Sequence, residues 1–428
     1  MEGAAGEDGR GESIWDRLAA TPGRIEDGST PREACDHYRR WREDLALMKD
    51  LGLKAYRFSI AWPRVMPAGT GAVNRAGLDF YSRLVDGLLA AGIAPMATLY
   101  HWDLPQALQK RGGWASRPTA EAFGAYARVC ARELGGRVKH WCTVNEPQMV
   151  AFCGHLAGTH APGLADRMTA LRVTATLNLA HGLALRELRE AAPGARVGIV
   201  LNLAPVHPAS PSEADAAAAG RADGLVNRWF LDPVLRGHYP EDLCSKLGMF
   251  APRPSRSDAA LFGAPLDFVG VNYYTRLLVR HAKGGELFDA ERAEPPAGAE
   301  RTATGWEVWP QGLGEVLLRL KREYGDPEVV VTENGAAYDD EPDAAGYVDD
   351  DRRVAYLRAH LAEARRAIDD GVRLGGYMAW SLLDNFEWAE GYTRRFGLVR
   401  VDYPTQKRTV KASGRWYAGA IRNNGAEI

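Results

Sequence analysis

The chain is 428 residues long, enough for a large core in one barrel-sized domain or in two ordinary ones. Charged residues make up 25% and the formal net charge is −2, so the electrostatics call for neither a nucleic acid nor an anionic membrane as partner. No apolar run approaches membrane-spanning length, and the five cysteines (Cys35, Cys130, Cys142, Cys153 and Cys244) are odd in number without C-x-x-C spacing, which points to free thiols in a cytoplasmic protein rather than to a disulfide framework or a zinc site.

The first residues, MEGAAGEDGRGESIWDRL, read as a surface loop, and no basic stretch followed by an apolar run marks a secretory signal. Short apolar runs then alternate with helical patterns. Seven runs are strand-like: 54–60, 94–100, 140–145, 196–203, 268–273, 329–332 and 376–381. They are continuously apolar rather than alternating, which suits strands covered on both faces, as in a parallel sheet. Between the first two, the apolar positions of 78–91 (Leu78, Tyr81, Leu84, Val85, Leu88, Leu89) recur at three and four, and Gly92 stops them. Late in the chain, 352–370 repeats that pattern up to Gly371. The segments 204–222 and 282–304 are rich in Ala, Gly, Pro and charge, and are expected to be long strand-to-helix loops.

No linker divides the chain, so residues 1–428 are expected to form one α/β domain. Helices following strands in strict alternation imply crossover units, and the size suits a (β/α)₈ TIM barrel. An open doubly wound sheet is the alternative, but no strand is followed by its Gly-rich phosphate turn. Seven strands are legible, whereas such a barrel needs eight.

In a barrel all strand C-termini meet on one face. In order, those ends carry Arg57, His101-Trp102, Asn145-Glu146, Asn272-Tyr273-Tyr274, Glu333-Asn334 and Trp380. Glu146 and Glu333 each follow a buried strand, where a carboxylate is costly unless paired or functional. Either alone would be an ordinary ion-paired or capping residue. Together, beside aromatic residues and an Arg, they suggest a site. Paired carboxylates are the equipment of glycoside hydrolysis, one protonating the leaving oxygen while the other attacks the anomeric carbon or activates water. Asn145 could bond a sugar 2-hydroxyl, and Arg57 and Tyr274 could hold the second carboxylate ionised.

The motifs YRFSIAWPR, YHWDLP, TVNEP, HAPG, NYYT, TENG and SLLDNFEWAEGYTRRFGL, in this order and over essentially the whole chain, resemble the family 1 glycoside hydrolases, the β-glucosidase family. The resemblance implies a single (β/α)₈ barrel and retention of anomeric configuration, with Glu146 as acid/base, Glu333 as nucleophile, Arg57 and Tyr274 contacting the nucleophile, and Asn272 supporting it. It makes His101, Asn145, Glu387 and Trp388 hydrogen-bonding residues for the non-reducing sugar, with Trp102 and Tyr274 beside them. Trp380 matches the stacking platform and Trp306 the aglycone side. Trp faces suit the apolar faces of a pyranose, and charged or amide groups suit its hydroxyls.

Relatives acting on 6-phosphorylated sugars usually carry a Ser and a Lys where this chain has Glu387. An anionic Glu387 would repel phosphate. The expected substrates are therefore unphosphorylated small β-glucosides and cello-oligosaccharides, with β-galactosides or β-fucosides as further glycones. No metal or organic cofactor is expected, nor nucleic acid or membrane as partner, and a homo-oligomer is compatible. A polysaccharide-cutting barrel would share the Asn-Glu pair but not NFEW.

Family members begin with a strand ending in YQIEGA or YQVEGA, followed by EDGRGPSIWD. Here Met1 stands at that Ile or Val, so the first barrel strand, with a sugar-binding Gln, is expected to be missing through a truncated gene model that took a GTG codon as start. The alternative to an active enzyme is an inactive or weakly active truncated sugar-binding derivative.

Overall fold

The computed structural model describes residues 1–285 and 288–426. Its centre is a parallel sheet of seven strands, bonded in chain order: β1 (Ala55–Ser59), β2 (Ala94–Tyr100), β3 (His140–Asn145), β4 (Arg196–Asn202), β5 (Phe268–Asn272), β6 (Val329–Asn334) and β7 (Leu374–Ala379). All seven expected strands form. The sheet curls into a nearly closed barrel. Among the described residues, β1 pairs only with β2 and β7 only with β6. A groove of about 710 Å³, lined by residues of both strands, lies between them.

One apolar cluster takes Met96, Cys142, Val200, Phe268 and Val330 from five successive strands, with Met378 of β7 against it. This is the packed barrel interior, as expected when each strand sends alternate side chains inward. The opposite faces join the larger core under the helices, where Leu99, Val144, Leu201, Val271 and Val331 are buried. The helix Arg75–Ala90 packs Leu78, Tyr81, Leu84, Val85 and Leu88 into that core. Each such aliphatic side chain contributes about 1.5–3 kcal/mol by leaving water. The helix ends where expected. Gly92, at φ +73°, donates to Leu89 O, and Ile93 donates to Leu88 O, satisfying the last carbonyls. The helix Asp351–Asp369 closes identically through Gly371 and Val372.

Two expectations are corrected. Segment 204–222 is not a plain loop but holds a short strand, Val206–Pro208, and the helix Glu213–Asp223. Ser212 caps the helix by accepting from Asp215 N at 3.1 Å, and Ala218, Ala219 and Ala222 pack against Val279 and Ala290. An alanine face shows no apolar periodicity in the sequence, yet alanine is the best helix former. Segment 282–304 lies partly outside the described residues. Its strand Ala290–Arg292 pairs antiparallel with Leu277–His281, which in turn pairs with Val206–Pro208. This small sheet and helix are built from the two connections flanking β5, from β4 to β5 and from β5 to β6, at the barrel's C-terminal end.

Candidate active site

Every candidate residue reaches the C-terminal end of the barrel. Register irregularities aim the two carboxylates. β3 carries one extra residue relative to β4 between Cys142 and Asn145, just before Glu146. β6 carries one extra residue relative to both neighbours, between Val331 and Asn334, and this brings Glu333 level with Asn272. An extra residue bends a strand and re-aims the side chain that follows. Gly335, next in TENG, is obligatory: a Cβ there would sit 1.8 Å from Trp380 O, where β6 and β7 converge.

The two glutamates have opposite surroundings. Glu333 accepts from Arg57 Nη1 at 2.6 Å and from the Tyr274 hydroxyl at 2.7 Å, one donor on each oxygen. Arg57, itself buried, is held by Thr98 Oγ1 at 3.1 Å and Asn145 Oδ1 at 2.6 Å. Among the described residues no cation pairs with Glu146. Its Oε1 accepts from Asn272 Nδ2 at 2.6 Å. Burial, and then the Glu333 charge, push the Glu146 carboxyl up to about 8, against the opposing pull of the Asn272 bond. Asn272 therefore supports Glu146, not Glu333, correcting the sequence expectation. The cause is Thr332, whose hydroxyl donates to Asn272 Oδ1 at 2.7 Å and so turns the amide nitrogen toward Glu146.

Asn145 lies between the two carboxylates. Its Oδ1 accepts from Arg57 and, at 3.3 Å, from Asn272, while its Nδ2 meets His101 Nε2 at 3.1 Å. One amide N–H remains for a sugar hydroxyl. His101 packs against Trp388 (5.6 Å between ring centroids) and Trp380 (5.9 Å). Burial and the Arg57 charge hold its pKa well below the usual histidine value, so its imidazole is neutral at physiological pH. Trp102 lies 4.5 Å from Trp388, and its indole donates to Asn145 O at 3.0 Å. Trp102, Glu146 and Trp388 all adopt φ between +46° and +77°. This backbone costs about 1–3 kcal/mol per non-glycine residue, so the surrounding packing must enforce it.

Glu387 is pushed up to about 8 by burial, the Glu390 charge and the two site glutamates. It is therefore largely a carboxylic acid near neutral pH, not the anion the sequence suggested, and it can donate as well as accept. Trp306 stands at the mouth, 37% exposed, 5.2 Å from Tyr274 and 6.3 Å from Phe396. Thr98, Thr332 and Phe396 were not singled out from the sequence. A Thr at the same point of two apolar strands was the available signal.

A parallel barrel with two carboxylates at its C-terminal mouth, one cation-paired and one not, is the architecture of a glycoside hydrolase. The family model described as "Glycosyl hydrolase family 1" matches residues 1–426. The chain belongs to that family. It is 47% identical to β-glucosidase A of Acetivibrio thermocellus over 428 residues, covering 99% of this chain and 95% of that one. It is 43% identical to a bifunctional β-D-glucosidase/β-D-fucosidase of Bifidobacterium breve, covering 100% and 96%. The structure superposes on the family 1 β-glucosidase of Thermotoga maritima with a TM-score of 0.96, at 47% identity, covering 99% and 95% of the two chains. That enzyme has also been solved with deoxynojirimycin, again at a TM-score of 0.96.

Proposed function

We infer that the chain is a retaining β-glucosidase, acting on terminal non-reducing β-D-glucosyl residues of small glucosides and cello-oligosaccharides. The observation that carries the assignment of roles is the asymmetry of the two glutamates. Glu333, with a guanidinium and a phenol on its oxygens, is suited to attack as a carboxylate. Glu146, buried and bonded only by neutral groups, is suited to hold a proton.

In the first step a Glu333 oxygen bonds to the anomeric carbon as the glycosidic bond breaks, and Glu146 gives its proton to the departing oxygen. In the second, Glu146, now a carboxylate, takes a proton from water. That water displaces Glu333 and restores both groups. The Asn145 amide, His101, Glu387 and Trp388 bind the glycone, Trp380 stacks on it, and Trp306 faces the aglycone. No step calls for a metal or organic cofactor. β-Fucosides and β-galactosides are further glycones, in line with the bifunctional relative and with a galacto-configured hydroximolactam bound to the Thermotoga maritima enzyme. We read residues 1–428 as one domain, cytoplasmic and able to form homo-oligomers.

A 2-deoxy-2-fluoroglucoside with a good leaving group tests the assignment. Peptide mass spectrometry should find the trapped sugar on Glu333. Label on Glu146, or none with turnover intact, would overturn it.

A further inference from the structure

We propose that Asp384 is a positioning residue for the glycone-facing loop that ends in Glu387 and Trp388, acting through a buried ion network and never touching substrate. This rests on the role inferred above for Glu387. Asp384 is fully buried. Its Oδ1 accepts from Lys411 Nζ and Gly397 N, both at 2.9 Å, and its Oδ2 accepts from Arg395 Nη1 at 2.8 Å. Its backbone N–H donates to Val399 O at 3.0 Å. Lys411 is equally buried and donates to Asp340 Oδ2 at 2.6 Å. Asp340 pairs with Arg353 at 2.6 Å, and Arg353 pairs in turn with Asp350.

The network holds three aspartates, two arginines and one lysine, so its charges balance. Removing one partner strands a buried charge, whereas the intact set fixes geometry. Its members come from segments far apart in sequence, around Asp340, Asp350–Arg353, Asp384, Arg395 and Lys411. Arg353 donates to Ala336 O at 3.1 Å, three residues beyond Glu333, and to Arg395 O at 2.7 Å. The frame therefore runs from the end of the strand bearing Glu333 to Asp384, three residues before Glu387.

The loop between β7 and the short turn Trp388–Glu390 has little regular structure of its own. Yet it holds Trp388 at φ +52° and a half-buried Glu387. Such a conformation persists only where its surroundings over-determine it. The ion network anchors the start of this loop at Asp384, next to Asn385, whose carbonyl accepts from the Tyr403 hydroxyl at 3.1 Å.

The test compares kcat/KM for an aryl β-glucoside with its 4-deoxy and 6-deoxy analogues. Glu387→Ala should collapse the preference for glucoside over at least one analogue. Asp384→Asn should collapse that same preference by about tenfold, while the affected deoxy substrate loses less than about threefold. Arg395→Gln, at the rim of the network, should act in the same direction by about threefold and guards against an Asp384→Asn chain that does not fold. Equal losses on all three substrates in both network variants would overturn the proposal, because they would mark a merely structural role. A preference unchanged in Glu387→Ala would instead overturn the role of Glu387, and this inference with it.

Discussion

Asn272 Nδ2 donates to Glu146 Oε1 at 2.6 Å, while Asn272 Oδ1 is held by the Thr332 hydroxyl at 2.7 Å. The amide therefore cannot flip without losing both bonds. It stabilises the charged form of Glu146 against burial, which otherwise dominates and holds the group up to about 8. In Asn272→Ala the carboxyl loses that donor, so its pKa rises further. The acid must be protonated in the first step, so the basic limb of the kcat/KM profile should move to higher pH, with a loss on the order of tenfold at the optimum. A basic limb unmoved by the substitution would show that Glu146 is not the group titrating there.

The asymmetry of the two glutamates separates their failures. Glu333→Ala should abolish hydrolysis, and azide in the vacated space should restore turnover with an α-glycosyl azide as product. Glu146→Ala should spare substrates with very good leaving groups, which need no proton, far more than poor ones. Azide should then give the β-azide by displacing Glu333 from the glycosyl-enzyme. Product configuration by NMR checks both. Equal losses on good and poor leaving groups would remove Glu146 from the acid role.

The strands and the two carboxylates were legible because parallel strands buried on both faces leave unbroken apolar runs, and the run stops where the polar end begins. Gly92 and Gly371 marked helix ends for the same reason that makes them glycines: the backbone there is left-handed. What was not legible depends on register and distance. One extra residue in β6 and the Thr332 hydroxyl decide which glutamate Asn272 serves, and neither shows in a string of letters. The helix Glu213–Asp223 escaped because its buried face is alanine. The Asp340–Lys411–Asp384 contacts join residues far apart in sequence, each ordinary in its own neighbourhood.

The raised pKa of Glu387 has a consequence for stability. The folded protein keeps its proton up to about pH 8, whereas the unfolded chain releases it near the ordinary 4.5. Between those values the native state binds more protons, so this group's contribution is fully present below about 4.5 and is lost as pH rises to about 8. Glu146 acts with the same sign over the same window. Glu387→Gln cannot ionise. Its melting temperature should therefore fall less than that of the unmodified chain between pH 5 and pH 8, by differential scanning fluorimetry in matched buffers. Parallel curves would mean that Glu387 ionises as readily in the folded protein as in water.

Trp306 is more than a third exposed, yet its ring lies against Tyr274, which donates to Glu333, and near Phe396. An indole left partly open beside the reacting carboxylate offers a face to whatever leaves. Stacking on an aryl or pyranose aglycone would contribute before and during bond cleavage alike, so its loss should appear mainly in KM. Trp306→Ala should raise KM for aryl β-glucosides about five- to tenfold with kcat little changed. Methyl β-glucoside, whose aglycone has no face to stack, should be nearly unaffected. Trp306→Phe, keeping a ring, should recover most of the aryl affinity. A comparable loss on methyl β-glucoside would assign Trp306 instead to holding Tyr274 against Glu333.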